Sequence, residues 1–327
     1  MSIVRQDIFT GEWIIYAANR KKRPYDFVKK SVPRSDNHKD CPFCLGNEKK
    51  TPKAVYQNGS DWNIRVFPNM YPAVGEEAEP FNIENFYHSI SGKGVHEVLV
   101  DTPTHDGVIH NFSKEHIAEI LKVLQKRYKE VKKQSHIQYV QIFKNCGPEA
   151  GMSIMHSHWQ IMGVPFLPNH QKQAQLTSKM YYEENKGCLF CHMLAHEKNI
   201  DKRIIAENEN FLLFTPYAPK ISYEIWIAPK EHISCYSDFN DVDLLHLSEI
   251  LKDALSRVAK IREGISYNIC FIDMPKTKEE EKYSHWYLKI YPRMGNFAGF
   301  EFATGSYINP VLPEVSAQRY RTLDFNE

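Results

Sequence analysis

The stretch Asn145-Cys-Gly-Pro-Glu-Ala-Gly-Met-Ser-Ile-Met-His156-Ser-His158-Trp-Gln160 reads as a strand end, a glycine-bearing loop, and a second strand opening on His-x-His-x-Gln. Alternate residues of a strand project from one face, so His156, His158 and Gln160 are expected to point the same way. Two imidazoles and an amide in a row suit chemistry at phosphorus. A neutral imidazole attacks a phosphate without first losing a proton, and an amide NH₂ donates to the oxygens as their charge develops. A His-x-His pair alone is better read as two histidines on a solvated strand face. The rest of the chain decides between the two.

Of the seven cysteines, four fall in two Cys-x-x-Cys pairs, Cys41/Cys44 and Cys188/Cys191. In a reducing compartment such pairs suggest metal or redox chemistry rather than structural disulfides. Pro42 and Phe43 suit a tight metal knuckle, and a knuckle needs two further ligands. The order of elements supplies them twice. A strand over Val95–Asp101 runs into His105, an amphipathic helix from Ser113 to about Gln134 follows, then a strand from Ile137 leads to His156. In the second half a strand ending at Pro229 precedes His232, a helix spans about Asp241 to Arg262, and a strand over Tyr267–Ile272 leads to His285. The two histidine intervals are nearly equal, and Phe112 and Phe239 each stand seven residues after the middle histidine. We read this as an internal duplication, too long in period for a solenoid, with halves at residues 1–175 and 176–327.

Cys41, Cys44, His105 and His156 then make one tetrahedral Zn²⁺ site, and Cys188, Cys191, His232 and His285 another. Two thiolates and two imidazoles with no open position describe structural zinc. A single four-cysteine site built from both knuckles is the competing arrangement. The halves differ where chemistry is expected. After the metal-bound histidine, the next residue on the same face is His158 in the first half and Tyr287 in the second, so only one half keeps a nucleophile.

Composition bounds the rest. With 42% hydrophobic and 25% charged residues over 327 positions, the chain is that of a globular protein with one large core or two moderate ones. Aromatics at 13% favour strand-rich structure. A net charge of +1 gives no support to nucleic-acid binding. No apolar run is long enough to span a bilayer, and the N-terminus has no signal-peptide core, so the expected compartment is the cytoplasm.

These residues closely resemble the galactose-1-phosphate uridylyltransferase family of the histidine-triad superfamily, which includes ADP-glucose phosphorylase-like members. The resemblance spans nearly the whole chain. It rests on Arg5-x-Asp with Thr10-Gly-Glu-Trp13, Arg20-x-x-Arg23-Pro, Cys41-Pro-Phe-Cys44 with Gly46-Asn-Glu48, Asn145-x-Gly with Gly151-x-Ser153, His-x-His-x-Gln, Phe166-Leu-Pro-Asn169 and Ala298-Gly-Phe-Glu301. It implies an α+β fold of two histidine-triad-like repeats with largely antiparallel sheets flanked by helices. It also implies a ping-pong transfer, in which His158 attacks the α-phosphorus of a nucleotide sugar, expels a sugar 1-phosphate, and passes the nucleotide to a second sugar phosphate. By the same resemblance Gln160 donates to the phosphoryl oxygens, Ser153 and Asn145 bind phosphates, and Arg20, Arg23 and Asn69 hold the nucleotide. Phe300 and Glu301 then lie near the hexose, across a homodimer interface. The chain departs from the family pattern at Ser157, where proline is usual, and around Tyr287 and Lys289, where some members have metal-binding histidines.

Uridylyl transfer between sugar phosphates is the first expectation. Adenylyl transfer to inorganic phosphate, hydrolysis of a nucleotidyl-histidine by water, and a zinc-stabilised nucleotide-binding protein without activity are the alternatives. The intact His158, Ser153 and Gln160 argue against the last.

Overall fold

The strands form where β-branched and aromatic residues alternate or run together. In the computed structural model, which describes residues 2–6, 11, 13–17, 39–76, 86–273 and 277–323, β1 (Ser2–Gln6) and β2 (Trp13–Ala17) pair antiparallel. β3 (Tyr56–Gln57) and β4 (Arg65–Pro68) open a second sheet, β5 (Ser89–Ser91) returns to β1, and β6 (Val95–Val100) lies beside β4. Helix α1 (Lys114–Lys132) follows, then β7 (Tyr139–Cys146), β8 (His158–Val164) and helix α2 (Asn169–Asn185). The remaining elements are α3 (Leu189–Ile200), β9 (Ile204–Glu207), β10 (Phe211–Phe214), β11 (Ile225–Pro229), α4 (Asp241–Ile261), β12 (Tyr267–Ile272), β13 (Tyr287–Pro292), α5 (Gly299–Thr304) and α6 (Pro313–Arg321).

The chain forms two compact units that interleave along the sequence. One comprises residues 1–107, 123–142 and 153–177, the other 108–122, 143–152 and 178–327. In the first unit the strands run in the order β3-β4-β6-β8, and in the second β9-β10-β11-β13 repeats that order before β12. The pairings in both are antiparallel. Helices mixed with antiparallel sheet make the α+β class expected from the sequence, and the matching strand orders are what a duplicated chain produces.

Helix α4 shows why the long helices were legible. Its Leu244, Leu247, Leu251, Leu255 and Val258 recur at helical spacing and are all buried. The Asn240 side chain accepts from the N–H groups of Val242 and Asp243, and Asp243 accepts from Asn240 N–H, closing a capping box that fixes the start. Ser113 caps α1 with a single bond, accepting from His116 N–H at 3.1 Å.

Register places the chemistry. Along β6 and β8, Val100 faces His158, Val98 faces Gln160 and His96 faces Met162, so these six side chains share one face. Under it lies a buried cluster of Cys41, Phe43, Trp62, Phe67, Val98 and Val100. Strand β8 begins at His158, not at His156 as expected. Its partner β6 ends at Val100 and the chain then runs into Pro103, which has no N–H to continue the ladder.

Candidate active site and metal centres

In the first unit Cys41, Cys44, His105 and His156 converge, their ligand atoms all within 4.8 Å of one another. Nδ1 of His156 is 3.6 Å from both Cys41 Sγ and Cys44 Sγ, and Nδ1 of His105 is 3.4 Å from Cys44 Sγ. A tetrahedral ion with bonds of about 2.0–2.3 Å has ligand–ligand edges of roughly 3.3–3.8 Å, so the spacing fits. Protonation fits too. The Thr102 carbonyl, 2.7 Å from His156 Nε2, can only accept, so the ring proton sits on Nε2 and the Nδ1 lone pair faces the thiols. Burial, and then the neighbouring Cys41, push the Cys44 thiol up to about 12. A buried thiol beside another sulfur keeps its proton unless a cation joins it.

The knuckle is shaped by the Gly46-Asn47-Glu48 run. Gly46 takes φ +90°, a conformation in which a side chain would be strained. Asn47 Nδ2 donates to the Cys41 carbonyl at 2.8 Å, and Glu48 Oε1 accepts from Gly46 N–H and the Trp62 indole.

His158 is buried and packs edge-on against Phe43, ring centroids 5.2 Å apart. Its Nδ1 lies 2.7 Å from the His156 carbonyl, which must accept. The proton is therefore on Nδ1 and the lone pair of the neutral ring is on Nε2. Gln160 is half-buried on the same face, its Oε1 2.9 Å from Nε2 of His96. Asn69 accepts from Tyr71 N–H at 2.8 Å, with its Nδ2 3.3 Å from the same His96 nitrogen. Ser153 is exposed on the loop before β8. Arg20 and Arg23 lie outside the described residues. The structure thus brings His156, His158, Gln160 and Asn69 into one unit with the first cysteine cluster.

The other predicted residues belong to the second unit. Asn145 closes β7, and its Oδ1 accepts from Asn268 Nδ2, which also donates to the Ala150 carbonyl. The loop turns at Gly147, φ +83°, where a Cβ would meet Ser266 Oγ at 2.3 Å. Phe300 is half-exposed on α5, and Glu301 accepts from the N–H groups of Ala298 and Ile308, tying the start of that helix to the following loop.

Cys188, Cys191, His232 and His285 form the second cluster, again within 4.8 Å. Cys191 Sγ is 3.3 Å from His232 Nδ1 and 3.5 Å from His285 Nδ1. Each ring turns Nε2 toward a carbonyl, Glu281 at 2.8 Å and Pro229 at 3.2 Å, repeating the logic of His156. In both sets the histidines of the same unit complete the thiol pair, in place of the four-cysteine alternative. The second knuckle differs in that Cys188 precedes α3 and Cys191 sits in its first turn. Nothing like Gly46 interrupts it, and His192-Met-Leu-Ala-His196 carries the helix on.

Where the first unit has His158, the second has Tyr287, buried and with its phenol raised by that burial. Lys289 occupies the place of Gln160, its amine 4.4 Å above the Trp226 ring and lowered by desolvation. This face holds the Lys289 amine over aromatic rings where the first unit has an imidazole and an amide. Sequence reading did not single out His96. Its one signal was a histidine on the inward face of the alternating run Val95–Asp101.

A family model, galactose-1-phosphate uridyl transferase, N-terminal domain, matches residues 1–168. An ADP-glucose phosphorylase of Arabidopsis thaliana is 34% identical over 97% of this chain and 92% of its own length. A galactose-1-phosphate uridylyltransferase of Thermotoga maritima is 26% identical over 98% of both chains. The crystal structure of an ADP-glucose phosphorylase from Arabidopsis thaliana with bound ADP-glucose superposes with a TM-score of 0.79 at 31% identity, covering 98% of this chain and 99% of that one.

Proposed function

The chain belongs to the galactose-1-phosphate uridylyltransferase family, and from that membership we propose that it moves a uridylyl group from a nucleotide sugar to a hexose 1-phosphate through a nucleotide held on His158. It is an enzyme of nucleotidyl transfer. The observation that carries the role of His158 is the hydrogen bond from its Nδ1–H to the His156 carbonyl, which directs the lone pair to Nε2.

In the first half-reaction Nε2 of His158 bonds to the α-phosphorus. The bond from that phosphorus to the bridging oxygen breaks, and the sugar 1-phosphate leaves with the electron pair. The imidazole, now substituted at Nε2, carries positive charge that the His156 carbonyl stabilises through Nδ1–H, so no proton need move. In the second half-reaction an oxygen of the acceptor phosphate attacks the same phosphorus, and the N–P pair returns to His158. Gln160 donates to the phosphoryl oxygens, and Ser153 and Asn145 bind the phosphates. Arg20, Arg23 and Asn69 hold the nucleotide, while Phe300 and Glu301 face the hexose in a homodimer. In this reading residues 1–175 form the half carrying the nucleophile and residues 176–327 the half supplying the sugar end.

Cys41, Cys44, His105 and His156 would hold one zinc ion, and Cys188, Cys191, His232 and His285 a second. Both are structural sites without an open position. The first fixes His156, and with it the carbonyl that orients His158. The free Cys-x-x-Cys thiols support a reducing compartment, the cytoplasm, as its location.

A second reading, adenylyl transfer to inorganic phosphate, is favoured by the 34% identity to the Arabidopsis thaliana phosphorylase. Intact mass after brief incubation with UDP-glucose or ADP-glucose separates the two. A uridylyl adduct discharged by galactose 1-phosphate is the expected result. An adenylyl adduct discharged by phosphate establishes the second reading, and no adduct with either donor overturns both.

A further inference from the structure

His96 is buried on the face of β6 that meets Gln160 and His158, one diagonal step from Gln160. Both of its ring nitrogens are engaged. The backbone N–H of Ala73, which can only donate, reaches Nδ1 at 3.1 Å. Nδ1 must accept, so the proton of the neutral ring sits on Nε2. That nitrogen is 2.9 Å from Gln160 Oε1 and donates to it. The amide of Gln160 is thereby given a direction, with oxygen against His96 and NH₂ away from it. The reversed amide would set NH₂ against an N–H. Asn69 Nδ2, 3.3 Å from the same nitrogen, is itself a donor, and its Oδ1 already accepts from Tyr71 N–H, so the nearer Gln160 Oε1 is the acceptor that Nε2–H meets. A cationic His96 would turn a second N–H on Ala73 N–H, so the site favours the neutral ring.

We infer that His96 is a positioning residue: it fixes the amide of Gln160 so that its NH₂, and not its oxygen, meets the phosphoryl group transferred at His158. This rests on the nucleotidyl-histidine chemistry proposed above. Without a partner a glutamine amide flips at almost no cost, and half of its orientations would present a lone pair to phosphate oxygens that already carry charge.

Two substitutions split the two hydrogen bonds. Asparagine places its amide oxygen near the position of Nδ1, keeping an acceptor for Ala73 N–H and losing the donor to Gln160. Glutamine reaches the position of Nε2, keeping the donor and losing the acceptor. The readout is the single-turnover rate of adduct formation by intact mass, with saturating UDP-glucose and separately ADP-glucose, beside the melting temperature of each variant.

Loss of one donor to a developing oxyanion slows catalysis by about 10²–10³, so His96→Asn, which misdirects the donor without deleting it, should slow the adduct roughly tenfold or more at near-wild-type melting temperature. His96→Gln should recover the rate to within about threefold although it melts lower. In a Gln160→Met background, His96→Asn should have no further effect. An His96→Asn variant as fast as wild type, or one equally slowed whether or not Gln160 is present, would overturn the role. A wild-type enzyme that forms no adduct with either donor would overturn the underlying chemistry and this role with it.

Discussion

On the proposed mechanism His158 owes its reactivity to a carbonyl two residues behind it. Because the His156 carbonyl accepts a hydrogen bond from Nδ1–H, the tautomer is set by backbone and the proposed attack needs no neighbouring base. His156 in turn is held from both sides, by the Thr102 carbonyl at Nε2 and the thiols at Nδ1. The two histidines therefore differ in what their loss should do. His158→Gly should abolish adduct formation, yet keep wild-type metal content and lose only about 1–2 kcal/mol of stability, the cost of one buried hydrogen bond and its packing. His156→Ala should lose metal as well as activity, because a buried thiol pair is left with an incomplete set. Metal analysis alongside thermal melts decides between them. If His158→Gly also lost metal, the division of roles along this strand would be wrong.

At the scale of elements, a helix is pinned to the strand that carries His96. Arg127 of α1 makes a two-pronged ion pair with Glu97, Nε to Oε2 at 2.9 Å and Nη2 to Oε1 at 2.6 Å, with side chains only 17% and 6% exposed. Glu97 points to the face opposite His96, so the pair bears on stability rather than on the site. Arg127→Met should cost about 3–5 kcal/mol by stranding a buried carboxylate, while Arg127→Met with Glu97→Met should return to within about 1 kcal/mol of wild type or better. Urea unfolding midpoints of the single and double variants check this, and equal losses in both would show that packing, not charge, is at stake. Such pairs also mark how far the sequence could be read. Helices α1 and α4 were legible because periodicity and caps agree locally. The cysteine and histidine sets were legible because residue chemistry and a repeated order agree at long range. Helix α2 buries no side chain and so prints no apolar stripe on the sequence. The late start of the ladder at His158, the helical second knuckle and the role inferred for His96 depend on which residues face each other across strands, and no spacing records that.

Across the described residues, duplication has kept two cysteine–histidine clusters and, on the proposed mechanism, one reactive face. The strand orders β3-β4-β6-β8 and β9-β10-β11-β13 are the same, and so are the two-thiol, two-imidazole sets. What has diverged is the face beyond each cluster, His158 and Gln160 in one unit against Tyr287 and Lys289 in the other. Access has diverged as well. His285 is buried with Phe190 stacked on it, ring centroids 4.6 Å apart, but His232 is exposed. In the first cluster no member is exposed and His156 is fully buried. A chelator should therefore remove the ions in two phases, the second-unit metal first, with activity surviving the first phase and falling with the second. Cys188→Ser should reproduce the first phase, one metal fewer per chain and a lower melting temperature, with adduct formation at His158 retained in the cold. Cys41→Ser should lose one metal and the adduct together. Metal stoichiometry and intact mass on the same samples test this, and an adduct lost with the Cys188 metal would mean that the second cluster supports the reaction as directly as the first.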